Sequence, residues 1–149
     1  MKIVIYQTSD LHGYIYPTNY VNDQPLGFLK IASYILNDEK NYDASLKIDC
    51  GDLVQGSALT HFLSKQAIDE NPIIKGLEAI NYNAYVLGNH EFNYGLNYLK
   101  NAYDKISDKV INANIKGLPF NTKPYEIFDF NGFIRIDFVA LTLYLSMKI

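Results

Sequence analysis

The chain has 149 residues, 48% of them hydrophobic and 19% charged, which excludes a disordered chain and fits one domain or part of one. Net charge is −3, Arg135 is the only arginine and no basic run occurs, which argues against a binder of nucleic-acid duplexes. The single Cys50 excludes an internal disulfide and a Cys-based zinc cluster, and no apolar stretch near either end approaches the roughly 20 residues of a membrane span.

Met1-Lys2 leads directly into the apolar residues 3–6, and polar Gln7-Thr8-Ser9-Asp10 follows. Four apolar residues read as a first strand rather than the apolar core of a secretion signal, so the chain as given is expected in the cytoplasm. A loop rich in Tyr, Asn, Asp and Pro spans about 13–25. Residues 26–36 place apolar side chains at Leu26, Leu29, Ala32, Ile35 and Leu36, a helical spacing. Residues 45–48 read as strand two. Ser57 can cap a helix running through Phe62 and Leu63. Asn71-Pro72 is a helix start, with Asn as cap and Pro at the first helical position, and that helix runs to about Ile80. Residues 84–87 read as strand three and 96–106 as a helix whose stripe of Leu96, Leu99, Ala102, Tyr103 and Ile106 is core. Residues 110–111 begin strand four. Asn131-Gly132 between the apolar runs 125–130 and 133–143 signals a hairpin. Alternating strands and helices predict an α/β fold with a layered parallel sheet flanked by helices, ending in an antiparallel hairpin.

A polar cluster follows each predicted strand: Ser9-Asp10-Leu11-His12-Gly13, Asp49-Cys50-Gly51-Asp52, Gly88-Asn89-His90-Glu91 and Asn112-Ala113-Asn114. Ligands of open α/β sheets bind at the carboxyl ends of the strands, so strand order alone brings these clusters to one edge. Asp, His and Asn donors suit Zn, Mn or Fe rather than Cu(I) or an iron–sulfur cluster. On an extended segment the i, i+2 spacing of Asp10 and His12 points both side chains the same way, so both can chelate one ion. Asp52 has two carboxylate oxygens and can bridge two ions, and Asn89 offers a carbonyl oxygen to the second.

Each cluster alone has an ordinary explanation. Asp-x-His reads as a cap or turn, Gly51-Asp52 as a turn, and residues 88–91 as a loop feeding a helix. All three in this order, each after a strand, are hard to obtain by chance. His61 reads as a surface or partly buried helix residue, Cys50 as packed, and Glu91 and Asp49 as supporting rather than ligating. Tyr14, Tyr16 and Tyr20 could wall a pocket, with loop packing the plainer role.

Asp10-Leu11-His12-Gly13, then Gly51-Asp52-Leu53-Val54-Gln55-Gly56, then Gly88-Asn89-His90-Glu91 resemble the calcineurin-like metallophosphoesterases over about residues 2–130. The Gln55-Gly56 pair looks like the nucleotidase branch, and Asn112-Ala113-Asn114 matches it too. Gly88-Asn89-His90-Glu91-Phe92-Asn93-Tyr94-Gly95-Leu96 is similar to the 2′,3′-cyclic-nucleotide 2′-phosphodiesterase/3′-nucleotidases, whereas related 5′-nucleotidases usually carry Asp where this chain has Asn93. The resemblance implies a two-metal phosphoesterase fold. Asp10, His12 and Asp52 would hold a first divalent ion (Zn, Mn or Fe), and Asp52 and Asn89 a second. A water activated between the ions would hydrolyse a nucleotide or other small phosphoester. His90 would contact the phosphate and Asn93 would orient His90.

The same resemblance implies further histidines downstream, in a separate loop and in a Gly-His-x-His motif. This chain has only His12, His61 and His90. Residues 136–145 read as a strand where the family turns into a Gly-rich loop. The expectation is therefore the N-terminal part of a metallophosphoesterase domain, incomplete at its C-terminus: a truncated or frame-disrupted gene product, or a fragment. An incomplete sheet exposes an apolar edge, so self-association is expected. Three functions compete: an active nucleotide phosphoesterase or the catalytic half of one; a non-catalytic remnant that binds one ion weakly, or a part that works only when joined to a missing half; and a small binding module whose motifs serve as loop architecture.

Overall fold

The computed structural model describes residues 1–16, 21–22, 26–132 and 134–142. Strands β1 (Ile3–Thr8), β2 (Ala44–Asp49) and β3 (Ala84–Tyr85) form a parallel sheet in the order β1-β2-β3. β1 and β2 pair in register from Ile3 with Ala44 to Thr8 with Asp49. The fourth strand expected from residue 110 is reduced to two isolated bridges, Tyr85 to Val110 and Ile111 to Lys123. The reason is a change of partner. The Ile111 amide still donates to Tyr85, but the Asn112 amide donates to Lys123 and the Ala113 amide to Ala140.

Among the described residues four α-helices form near the positions that the local signals indicate. α1 (Phe28–Asp38) starts two residues later than the apolar spacing suggests, because Gly27 takes φ 85° and blocks an earlier start. α2 (Ala58–Leu63) opens on a capping box: Ser57 accepts from the Thr60 amide and the Thr60 hydroxyl accepts from the Ser57 amide. α3 (Pro72–Glu78) opens on Asn71, whose side chain accepts from the Ile73 amide at 3.0 Å. α4 (Leu96–Tyr103) continues into a 3-10 segment, Asp104–Lys109, instead of remaining α-helical to residue 106. Antiparallel β4 (Tyr125–Phe130) and β5 (Ile134–Val139) make the hairpin expected around Asn131-Gly132, and both turn residues adopt positive φ. The expected stretch beyond Thr142 lies outside the described residues.

The period of two in a strand decides which layer each side chain joins. Tyr6, Tyr85, Leu87 and Val110 face a helical layer that contributes Phe28, Ile35, Ile73, Leu77, Leu99 and Tyr103. Burying each such large side chain stabilises by roughly 1.5–3 kcal/mol. Leu46, Ile48, Ala84, Val86 and Ile111 face the other way and are covered by hairpin residues Phe128, Phe130, Ile136 and Phe138. The sheet thus has helices on one face and the hairpin on the other. The hairpin does not reach across β1. Ile5, opposite Leu46 in the register, remains 52% exposed. No helix of the described residues is long and apolar enough to cross a membrane.

Candidate metal centre

The β1–β2 ladder continues past the strands into their loops. The Cys50 amide donates to Thr8, the Asp10 amide to Gly51 at 2.9 Å, and the His12 amide to Asp52 at 2.9 Å. Backbone hydrogen bonds therefore hold the two loops side by side. Donor atoms of Asp10, His12 and Asp52 all lie within 4.8 Å of one another. The backbone that achieves this is not the extended segment expected at residues 10–12. Asp10 (φ 56°), His12 (φ 47°) and Asp52 (φ 56°) all adopt left-handed conformations. A non-glycine residue held in such a region costs on the order of 1–3 kcal/mol, and such residues gather at functional sites. Alternation along an extended chain is not what brings Asp10 and His12 together. Two left-handed turns do, leaving His12 Nε2 3.8 Å from Asp10 Oδ1.

The side chains are oriented by their neighbours. His12 Nδ1 donates to the Gln55 carbonyl at 2.5 Å, so the lone pair is on Nε2, the nitrogen facing Asp10. The His90 amide donates to Asp52 Oδ1 at 2.8 Å, which sets the third loop against the same carboxylate. Asn89, half-buried, immediately precedes that contact. The His90 ring stands edge-on to the His12 ring, centroids 5.3 Å apart, and the Asn93 side-chain amide donates to His90 Nδ1 at 2.9 Å. The fold thus brings Asp10, His12, Asp52, His90 and Asn93 into one neighbourhood.

The loops fit a cation in two further ways. A Cβ added at Gly88 would stand 2.3 Å from Asp52 Oδ1, and one at Gly56 2.6 Å from His12 Nδ1. Only glycine lets the backbone come this close to the two donors. The donor set, two carboxylates and an imidazole, is one that Zn, Mn or Fe accepts.

Glu91 and Asp49 support the loops. Glu91 is fully buried and accepts backbone amides from Asp52 at 2.8 Å, Leu53 at 2.5 Å, Val54 at 3.3 Å and Gly88 at 2.7 Å. One carboxylate therefore ties the second loop to the third. Burial pushes its carboxyl up, against the pull of the donated amides. Asp49 accepts from the Thr8 hydroxyl at 2.7 Å and the Gly51 amide at 3.0 Å, and burial raises it to about 7. Sequence gave both residues a supporting role but could not show which amides they hold.

The remaining candidates stand apart from the cluster. Cys50 is half-buried, receives the Gln7 amide at 3.2 Å, and its thiol is pushed up by burial. His61 is exposed on α2, its ring 6.3 Å from that of Tyr94. Tyr16 is exposed, and Tyr20 lies outside the described residues. Tyr14 joins Leu11, Leu26, Gly27 and Ile31 in lining a hollow of about 270 Å³ that opens beside Asp10.

Comparison with known proteins agrees with this geometry. The calcineurin-like phosphoesterase family profile matches residues 3–144. The chain is 38% identical over 117 residues to a 2′,3′-cyclic-nucleotide 2′-phosphodiesterase/3′-nucleotidase of Haemophilus influenzae, covering 74% of this chain and 18% of that protein. It is 37% identical, with the same coverage, to the protein of that name from Salmonella typhimurium. It thus spans less than a fifth of the length of these relatives. Among solved structures, the calcineurin-like phosphoesterase YfkN from Bacillus subtilis superimposes with a TM-score of 0.78 at 30% identity, covering 93% of this chain and 47% of that one. With three donor-bearing loops converging at the carboxyl ends of parallel strands, and these matches, the chain belongs to the calcineurin-like phosphoesterase family.

Proposed function

We propose that this chain is the N-terminal, ion-holding part of a phosphoesterase that hydrolyses nucleotide phosphoesters, either 2′,3′-cyclic nucleotides or 3′- or 5′-nucleotides. The observation that carries the reading is the convergence of Asp10, His12 and Asp52 within 4.8 Å, with the His90 amide on the same Asp52 carboxylate. Asp10, His12 and Asp52 hold a first divalent ion, Zn, Mn or Fe. Asp52 and Asn89 contribute to a second. When bound, such ions lower the pKa of a coordinated water and polarise phosphoryl oxygens. His90 stands beside this position, able to donate a hydrogen bond to a phosphate oxygen, and Asn93 holds its ring at Nδ1. The relatives named for nucleotide hydrolysis support the substrate class.

A second reading rests on the count of donors. Among the described residues the second ion draws only on Asp52 and Asn89, which leaves most of its coordination to water. On that reading the chain is a non-catalytic remnant that holds one ion weakly, or needs another polypeptide to complete the site. Metal analysis and hydrolysis assays on the purified chain separate the two. About two ions per chain and release of phosphate or opening of a 2′,3′-cyclic nucleotide support the first. One ion or none, with no hydrolysis, supports the second. The ion-holding reading is overturned if the chain binds neither manganese nor zinc even when either is supplied in excess.

A further inference from the structure

The Leu87–Gly88 peptide sets the distance between the second and third loops. A Cβ at Gly51 would meet Gly88 N at 2.2 Å and Leu87 C at 3.0 Å, so this peptide lies directly against the Gly51 backbone. Asn89 and His90 follow it. On its other side, the parallel ladder would continue from the Ile111 amide on Tyr85 to the Ala113 amide on Leu87. It does not, because the Ala113 amide is given to Ala140. The Leu87 carbonyl instead accepts the hydroxyl of Thr142, a buried residue just beyond β5. Thr142 is itself seated by Asn114. The Asn114 side-chain Nδ2 donates to the Thr142 carbonyl at 2.7 Å, and the Thr142 backbone amide donates to Asn114 Oδ1 at 3.0 Å.

We infer that Thr142, clamped by Asn114, is a positioning residue for the metal centre: its hydroxyl replaces the missing ladder donor, presses the Leu87–Gly88 peptide onto Gly51, and so fixes Asn89 and the His90 amide against Asp52. Thr142 touches neither an ion nor a substrate. It acts through Leu87, 55 residues away in sequence. The inference rests on the ion-binding reading of Asp52 and Asn89. Its physical content is specific. A hydroxyl is required at this position, and a methyl of the same shape leaves the buried Leu87 carbonyl without a donor among the described residues.

Manganese chloride alone, titrated into the full chain, tests it. Affinity is read by calorimetry, and the melting temperature is read without the ion. Thr142→Val removes only the hydroxyl, and Thr142→Ser restores one. The expected result is manganese binding weakened at least about 10-fold in Thr142→Val, the scale of losses for residues that orient a ligand, and recovered in Thr142→Ser. A folded Thr142→Val with a lower ion-free melting temperature but wild-type affinity shows a merely structural role and overturns the inference. If Thr142→Val does not fold, Asn114→Asp carries the test. It keeps the acceptor for the Thr142 amide and loses the donor to its carbonyl, so weaker manganese binding supports the inference and unchanged binding overturns it. A wild-type chain that binds no manganese overturns the ion-binding reading itself, and this inference with it.

Discussion

The His90 amide hydrogen-bonds to Asp52 Oδ1 at 2.8 Å although 38 residues separate them, so one carboxylate oxygen joins two loops before any ion arrives. Replacing Asp52 therefore removes the charge of a proposed ligand and disturbs a loop contact together. Asp52→Asn keeps an oxygen for the His90 amide but loses the negative charge. The expected outcome is loss of bound metal, with any hydrolysis reduced by more than about 100-fold, beyond the range for residues that only support a ligand. Elemental analysis beside a 2′,3′-cyclic-nucleotide assay checks it. Intact metal content and activity in this variant would exclude a bridging role.

Gly88→Ala tests the closeness of backbone and donor. The added methyl would stand 2.3 Å from Asp52 Oδ1 and 2.6 Å from the Asp52 amide nitrogen, so one of the two loops must move. Overpacking of this kind costs roughly 1–3 kcal/mol. The variant is expected to unfold at lower urea and to bind manganese more weakly. Wild-type values for both would show that the loops are looser than this geometry states.

Glu39 gives a pH dependence remote from the metal centre. The Lys47 ammonium, 2.6 Å away on β2, holds the Glu39 carboxyl below its ordinary 4.5, and the Ser45 hydroxyl adds to this. A carboxyl lowered in the fold stabilises above its unfolded value, and that contribution disappears as pH falls through the folded value. The urea midpoints of the wild-type chain and Glu39→Gln are therefore expected to differ at pH 6 and to converge below pH 4.5. A gap that stays constant on acidification would contradict the assignment.

β1 carries no charged residue, and its outer edge pairs with no strand among the described residues. Charge is a common protection of such edges. With Ile5 half exposed beside that edge, the wild-type chain is expected to associate as its concentration rises, and Ile5→Lys to shift it toward monomer without changing metal uptake. Sedimentation velocity over a concentration series decides. A wild-type chain that stays monomeric throughout would show that this edge is protected in solution.

Much of the fold was legible because its signals are local. Asn71-Pro72, the Ser57 cap, the Asn131-Gly132 turn and the apolar runs of β1 and β2 each act within a few residues. The site was legible one step further, because a polar cluster after each parallel strand must reach the same edge. What remained hidden depends on distant partners. Residues 110–113 carry a strand's composition, but the amides of 111–113 divide among Tyr85, Lys123 and Ala140, so only isolated bridges form. The extended reading of Asp10 and His12 failed because hydrogen bonds to Gly51 and Asp52 hold both residues in turns that alternation does not describe. Thr142 had no signal at all. Nothing near residue 142 indicates that its hydroxyl serves Leu87.

The left-handed backbone at Asp10, His12 and Asp52 has a consequence for the order of events during maturation. Backbone hydrogen bonds to Gly51 and Asp52 hold Asp10 and His12, and the buried Glu91 side chain holds the Asp52 amide, contacts that form as the polypeptide compacts. If the chain holds an ion as proposed, coordination would follow folding rather than drive it, unlike small domains that collapse only around their zinc. On that reading a chelator removes the ion and leaves the architecture standing, and the cradle then accepts whichever suitable cation the surroundings supply.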